Sequence, residues 1–152
     1  MVVDFVWKQS RGYRVASIVR VGPWKEDNLR TEFGELVRWA RRRRLRTGAW
    51  IFVEQGRSRW EACLEVRGAA SPEGRIRRKT LPPSRVASIV FDPDQTSSRV
   101  VYHALNDWTR SRRKDGTIRS VRSVREIYAG DPWKDRRAWA NCEVQFLVEP
   151  KA

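Results

Sequence analysis

Arg14-Val15-Ala16-Ser17-Ile18-Val19 recurs letter for letter as Arg85-Val86-Ala87-Ser88-Ile89-Val90, 71 residues further along a chain of 152. Chance rarely produces an identical hexapeptide, and the segments after the two copies also correspond. Pro23 and an apolar series at helical spacing (Leu29, Phe33, Leu36, Val37, Ala40) come after the first copy. Pro93, two candidate helix caps (Thr96, Ser97) and a second series (Val101, Ala104, Leu105, Trp108) come after the second. Leu36 and Trp39 stand 69 residues before Leu105 and Trp108. Each helix runs into a basic tail and a glycine, Arg41–Arg44 before Gly48 and Arg110–Lys114 before Gly116.

Two strand-like stretches succeed each helix: Trp50–Gln55 and Trp60–Arg67, then Val121–Ala129 and Cys142–Glu149. Trp60-x-x-Cys63 echoes Trp139-x-x-Cys142, but strand alternation separates the two cysteines. Cys142 shares its face with Val144, Phe146 and Val148, whereas Cys63 shares one with Glu61 and Glu65. The better register sets Glu61 on Glu143 and Val66 on Val148, so the echo is coincidental. Val2–Trp7 and Arg75–Leu81 are candidates for a further strand ahead of each unit. The unit reads β-α-β-β, twice, over about 1–70 and 75–152, with Gly68–Gly74 as the connector. A half of this size buries little surface alone, so the halves are expected to share one core as a single domain, 1–152. The expected class is α+β, a mainly antiparallel sheet with two helices packed on one face.

Composition narrows the function. Apolar residues are 40% and charged residues 33%, a globular balance. No apolar run approaches the roughly 18 residues of a membrane span, and Met1-Val2-Val3-Asp4-Phe5 has no export-signal pattern. Two cysteines form no disulfide framework, which fits a reducing cytoplasm. With one histidine besides, an ordinary zinc site is not expected, nor is a cofactor. Any chemistry must run on carboxylates, hydroxyls and aromatic rings, and eight tryptophans make rings plentiful.

In this arrangement the chain resembles the GyrI-like small-molecule-binding family, which includes effector-binding domains of multidrug-responsive regulators. The resemblance rests on the Val-Ala-Ser-Ile strand and the helix ending Leu-x-x-Trp in both halves. It rests further on Arg125-Glu126-Ile127-Tyr128 followed by Asp131-Pro132, similar to the family's Glu-x-Tyr strand, and on the closing Glu143–Pro150. It implies a tandem βαββ fold with a cleft where the halves meet. It also implies a ligand role for Glu126, with Tyr128 beside it, toward flat, apolar and often cationic compounds. Some relatives are hydrolases that open cyclopropane-bearing compounds. Phe91-Asp92-Pro93 departs from the family's His-x-Gly-Pro-like turn. No DNA-binding helix-turn-helix precedes Val2, so a stand-alone protein for drug or toxin sensing or sequestration is expected.

The residues make a separate case. In a strand Glu126 shares its face with Val124 and Tyr128. Aligning Ile51 with Ile127 sets Trp50 opposite Glu126 and Phe52 opposite Tyr128. A carboxylate among rings suits a flat or cationic guest; the alternative is a salt bridge to one of 26 arginines. Trp39 and Trp108 are either core or cleft walls, and Trp133, in a loop, is placed to cap the cleft. Trp7, Trp24, Trp60 and Trp139 read as structural, His103 as a helix residue, and both cysteines as inert. If chemistry occurs, Glu126 orients water or acts as acid–base.

Charge supports a different reading. With 32 Lys+Arg against 18 Asp+Glu, the net charge is +14, the electrostatic footprint of a nucleic-acid binder. Arg41, Arg42, Arg43 and Arg44, with Arg110, Arg112, Arg113 and Lys114, would make that surface. Cations in a last helical turn also complement the helix dipole. The same charge would slow a cationic guest's approach, favouring neutral or weakly charged ligands.

Overall fold

The duplication survives in three dimensions as a strand-strand-helix-strand-strand unit, twice. The computed structural model describes residues 5–56 and 58–150. The first unit comprises β1 (Val6–Ser10), β2 (Tyr13–Val21), α1 (Glu26–Arg42), β3 (Arg46–Glu54) and β4 (Arg59–Arg67). The second comprises β5 (Arg77–Leu81), β6 (Ser84–Phe91), α2 (Ser98–Lys114), β7 (Ile118–Tyr128), a short α3 (Arg136–Ala140) and β8 (Cys142–Pro150). Both candidate leading strands therefore form; Val2, Val3 and Asp4 of the first lie outside the described residues. Helix α3 was not expected from the sequence. Five residues are too few to show periodicity, and its signal is the Asp135 cap, which accepts from the Arg137 N–H at 2.9 Å.

All pairings are antiparallel, in one sheet of order β1-β6-β8-β7-β3-β4-β2-β5. That order forces the sheet to curl. β1 and β2 lie six positions apart, about 29 Å in a flat sheet, yet only Arg11 and Gly12 join them. Only Pro82 and Pro83 join β5 to β6, also six positions apart. Such links span roughly 11 Å at most, so the two ends of the sheet must swing together. Gly12 lies close under Pro83, where an added Cβ would meet the proline ring at 3.2 Å.

Both helices pack on one face of this sheet. Leu29, Phe33, Leu36, Trp39 and Ala40 of α1 meet Ala16, Ile18, Trp50, Phe52, Ala62, Leu64 and Val66. Val101 and Leu105 of α2 meet Ala87, Phe91, Val144, Phe146 and Val148. Tyr128 packs against both clusters, at the seam of the halves. The opposite face buries Tyr13, Val15, Ile51, Val53, Cys63 and Ile127. Cys63 and Cys142 thus fall on opposite faces, as strand alternation requires.

The two helices end in the same way on different residues. In α2, Gly116 (φ 81°) follows the last turn, and the N–H groups of Gly116 and Thr117 donate to the carbonyls of Arg113 and Arg112 at 3.3 and 2.9 Å. This left-handed stop is what glycine suits. In α1 the same bonds run from Arg44 to Arg41 and from Leu45 to Ala40, at 3.1 and 3.0 Å. Here Arg44, not Gly48, takes the left-handed conformation, at φ 56°.

Candidate functional site

Where the halves meet on the helix face, a cavity of about 460 Å³ opens between the N-terminal turns of α1 and α2. Each element delivers side chains by its own period. Glu26, Leu29 and Phe33 come from one stripe of α1, and Ser98, Arg99 and Tyr102 from the first turns of α2. Strand alternation brings Phe52 and Glu54 from β3 and Glu126 and Tyr128 from β7. Trp24, Pro132, Trp133 and Trp139 close the sides, and Phe91 and Cys142 the far wall.

Glu126 sits at the centre. Its carboxylate accepts from the Tyr102 hydroxyl at 2.6 Å and from the Tyr128 hydroxyl at 2.9 Å. No lysine or arginine among the described residues forms an ion pair with it. Burial, and next the Glu126 charge, push both phenols far above their ordinary value, so they remain neutral donors. The Cys142 thiol is pushed up to about 12, again by burial first and Glu126 second. Burial and the Glu126 charge also raise the Glu54 carboxyl. The lining carries three carboxylates (Glu26, Glu54, Glu126) against one guanidinium, Arg99. The local charge is therefore opposite in sign to that of the whole chain.

The rings are held in place by one another. Trp24 meets Phe52 edge-on at 5.7 Å between centroids, and is itself half exposed. Tyr128 and Trp139 lie parallel, 6.3 Å apart and 2° between planes. Trp133 is pinned by its indole N–H, which donates to Glu26 at 3.2 Å. This gives a neutral-phenol, ring-walled hollow with an acceptor at its base, suited to an apolar guest with a positive centre. Among the described residues, no cluster of His, Cys, Asp and Glu could hold a metal ion.

Of the residues singled out in the sequence, Glu126, Tyr128, Phe52 and Trp133 line this cavity. Trp50 stands behind the wall, stacked on Phe33 at 4.9 Å and edge-on to Trp133 at 6.2 Å. Its expected partner needs correcting. Ile51 does pair with Ile127, but Trp50 faces Tyr128 and Phe52 faces Glu126. Antiparallel neighbours run in opposite directions, so only the pair at the centre of the register, Ile51 and Ile127, meets its own equivalent, and the residues on either side exchange partners. Trp39 and Trp108 are not cleft walls. Trp39 is wholly buried under α1, and Trp108 packs on Trp7 at 5.2 Å and Phe5 at 6.2 Å. Both lie in the third turn of their helices or beyond, too far from the N-terminal turns that frame the cavity.

Trp24 and Trp139, read as structural, do line it, and Tyr102 and Glu54 were missed. Glu54 was legible: it continues the alternation Trp50, Phe52. Tyr102 was not, because only α2's placement over β7 brings it to Glu126. The basic tails Arg41–Arg44 and Arg110–Lys114 lie at the C-terminal ends of both helices, away from the cavity. Several are engaged there: Arg43 pairs with Glu73 at 2.6 Å and covers Trp39 at 5.4 Å, and Arg112 covers Trp108 at 5.5 Å. His103 is exposed on α2, 3.5 Å from Asp107. No helix among the described residues is long and apolar enough to cross a membrane.

No protein-family model matches the sequence, and no curated protein does either. The fold has solved counterparts. The chain is similar to the C-terminal domain of EcmrR at 20% identity and a TM-score of 0.69, covering 99% of both chains. Against EcmrR in a DNA-bound transcription complex the TM-score is 0.74 at 20% identity, with 99% of this chain matched to 59% of that one. SAV2435 bound to tetraphenylphosphonium matches at 8% identity and a TM-score of 0.56, over 96% and 94% of the two chains. A hydrolase from Listeria innocua matches at 11% and 0.59, over 96% and 92%. The chain thus has a GyrI-like fold, shared with these solved structures.

Proposed function

We propose that this protein binds apolar aromatic small molecules, cationic ones above all, for drug or toxin sensing or sequestration. The observation that carries the reading is the Glu126 carboxylate, held by two neutral phenols inside a ring-lined cavity and ion-paired with no lysine or arginine among the described residues. A desolvated carboxylate without a counter-charge is costly, and a guest cation relieves that cost. Aromatic faces add about 0.5–2 kcal/mol each through cation–π attraction. The volume suits a drug-sized guest. SAV2435, which shares the fold, was solved with a lipophilic aromatic cation, tetraphenylphosphonium. The whole-chain charge favours neutral guests; the cavity's own carboxylates favour cations and act at closer range.

The test is a titration with tetraphenylphosphonium and with flat aromatic dyes, followed by tryptophan fluorescence and calorimetry at low and high salt. Saturable quenching with modest salt dependence is expected. Absence of saturable binding across such a panel overturns the proposal. Polyanion binding that weakens steeply with salt would move the function to the helix tails and nucleic acid.

A second reading rests on the same contacts. Glu126 hydrogen-bonded to Tyr102 suits general acid–base hydrolysis of a reactive, cyclopropane-type guest. In that case Glu126→Gln abolishes turnover while neutral aromatics still bind; turnover unchanged by the substitution rules the reading out.

A further inference from the structure

Arg125 and Glu126 are successive residues of β7 and so project to opposite faces of the sheet. Glu126 serves the cavity on the helix face. Arg125, only 2% exposed, lies on the other face, inside the curl. There a second hollow of about 300 Å³ is ringed by β3, β4, β5, β6, β7 and β8, with Glu61, Lys79, Arg122, Ser123 and Arg125 among its lining. Arg125 donates from Nε to the Gln145 side-chain oxygen at 2.8 Å and from Nη2 to the Ser10 hydroxyl at 3.3 Å. Both partners are neutral.

No carboxylate among the described residues lies within ion-pair distance of it. The acids nearby are already engaged. Glu61 pairs with Lys79 at 2.5 Å. Glu143 accepts from Lys8, Ser88 and Gln145 at 2.7, 2.6 and 2.7 Å. A buried guanidinium whose hydrogen-bond partners are all neutral carries a desolvation cost that a bound oxyanion would offset. Its fork geometry matches an oxyanion, and three cations against one carboxylate give the hollow a positive field.

We propose that this hollow is a second binding site, for a small oxyanion, with Arg125 as its anchor and Arg122 and Ser123 assisting. A free phosphate and a carboxylate share that chemistry, and separate arms distinguish them. The whole protein is titrated with inorganic phosphate, and separately with acetate, at matched ionic strength. Binding is read by phosphorus NMR line width and by calorimetry.

Saturable binding of one of the two anions is expected, weakened at least tenfold by Arg125→Gln. Ser123→Asp, which supplies a carboxylate inside the hollow, should abolish binding without lowering the melting temperature; it keeps the test valid if Arg125→Gln fails to fold. Arg113→Gln, which removes one exposed cation at the C-terminal end of α2 on the helix face of the sheet, should change nothing. No saturable binding of either anion overturns the proposal. So does equal affinity in wild type and Ser123→Asp, which would mean diffuse attraction to a +14 surface. Neither result bears on the aromatic cavity.

Discussion

Replacing Glu126 with Gln keeps the side chain's size and removes its charge, so the effect on binding should depend on the charge of the guest. The amide oxygen still accepts from one phenol, and the amide N–H₂ can donate to the other phenol's oxygen. The two contacts at 2.6 and 2.9 Å therefore need only rearrange. For a cation about 4 Å from the carboxylate, Coulomb attraction at an effective dielectric of about 20 is about 4 kcal/mol. That is an upper bound. Interactions with charged groups are worth about 1.5–3 kcal/mol net. A loss of about 2 kcal/mol corresponds to roughly 30-fold in affinity. A neutral isostere should lose no more than about threefold, because ring contacts with Phe52, Trp133 and Trp139 are untouched. The assay compares N-methylquinolinium with 4-methylquinoline, at a pH where the latter is uncharged, by calorimetry on wild type and variant. Thermal unfolding checks that the fold is intact. Equal losses for both compounds, or none for the cation, would refute the electrostatic reasoning.

Glu54 supplies a pH prediction. Its carboxyl is raised from 4.5, chiefly by burial, so the folded state holds the proton to higher pH than the unfolded chain does. The stability it contributes is complete below pH 4.5 and is lost as pH rises through the elevated value. Glu54→Gln should therefore melt above wild type at neutral pH, with the gap closing in acid; a gap that widens in acid contradicts this. At Arg44, the left-handed conformation costs a non-glycine residue about 1–2 kcal/mol, and glycine's extra chain entropy returns about 0.5–1. Arg44→Gly should stabilise by about 0.5–1 kcal/mol, raising the melting temperature by about 1–4 °C; a lower melting temperature would show that the side chain is doing something else. Trp39→Ala and Trp133→Ala should separate core from cavity. The first is expected to cost about 3–5 kcal/mol of stability. The second should leave the melting temperature near wild type but weaken aromatic guests, and the reverse pattern in unfolding and binding curves would exchange the two roles.

The doubled Val-Ala-Ser-Ile strand and helix made the repeat legible, and the faces of Cys63, Cys142, Glu126 and Tyr128 came from alternation alone. Helix positions came from apolar spacing. The misreadings share one feature, dependence on which distant segments meet. Trp24 and Trp139 looked structural because neither the turn after Gly22 nor the short α3 declares which cavity it borders. Trp39 and Trp108 stayed undecided between core and cleft because apolar spacing gives the helices but not which of their turns faces the seam.

Alternation and helical period are properties of the local backbone, so the amino-acid order alone settled which way each side chain points and that two like units exist. Which strands become neighbours, and how far the sheet curls, is decided by burial summed over the whole chain and by two-residue links across six strand positions. The packing of α2 over β7 puts Tyr102 on Glu126, and the curl encloses Arg125, because strand alternation assigns a residue to a face and tertiary packing determines what that face encloses.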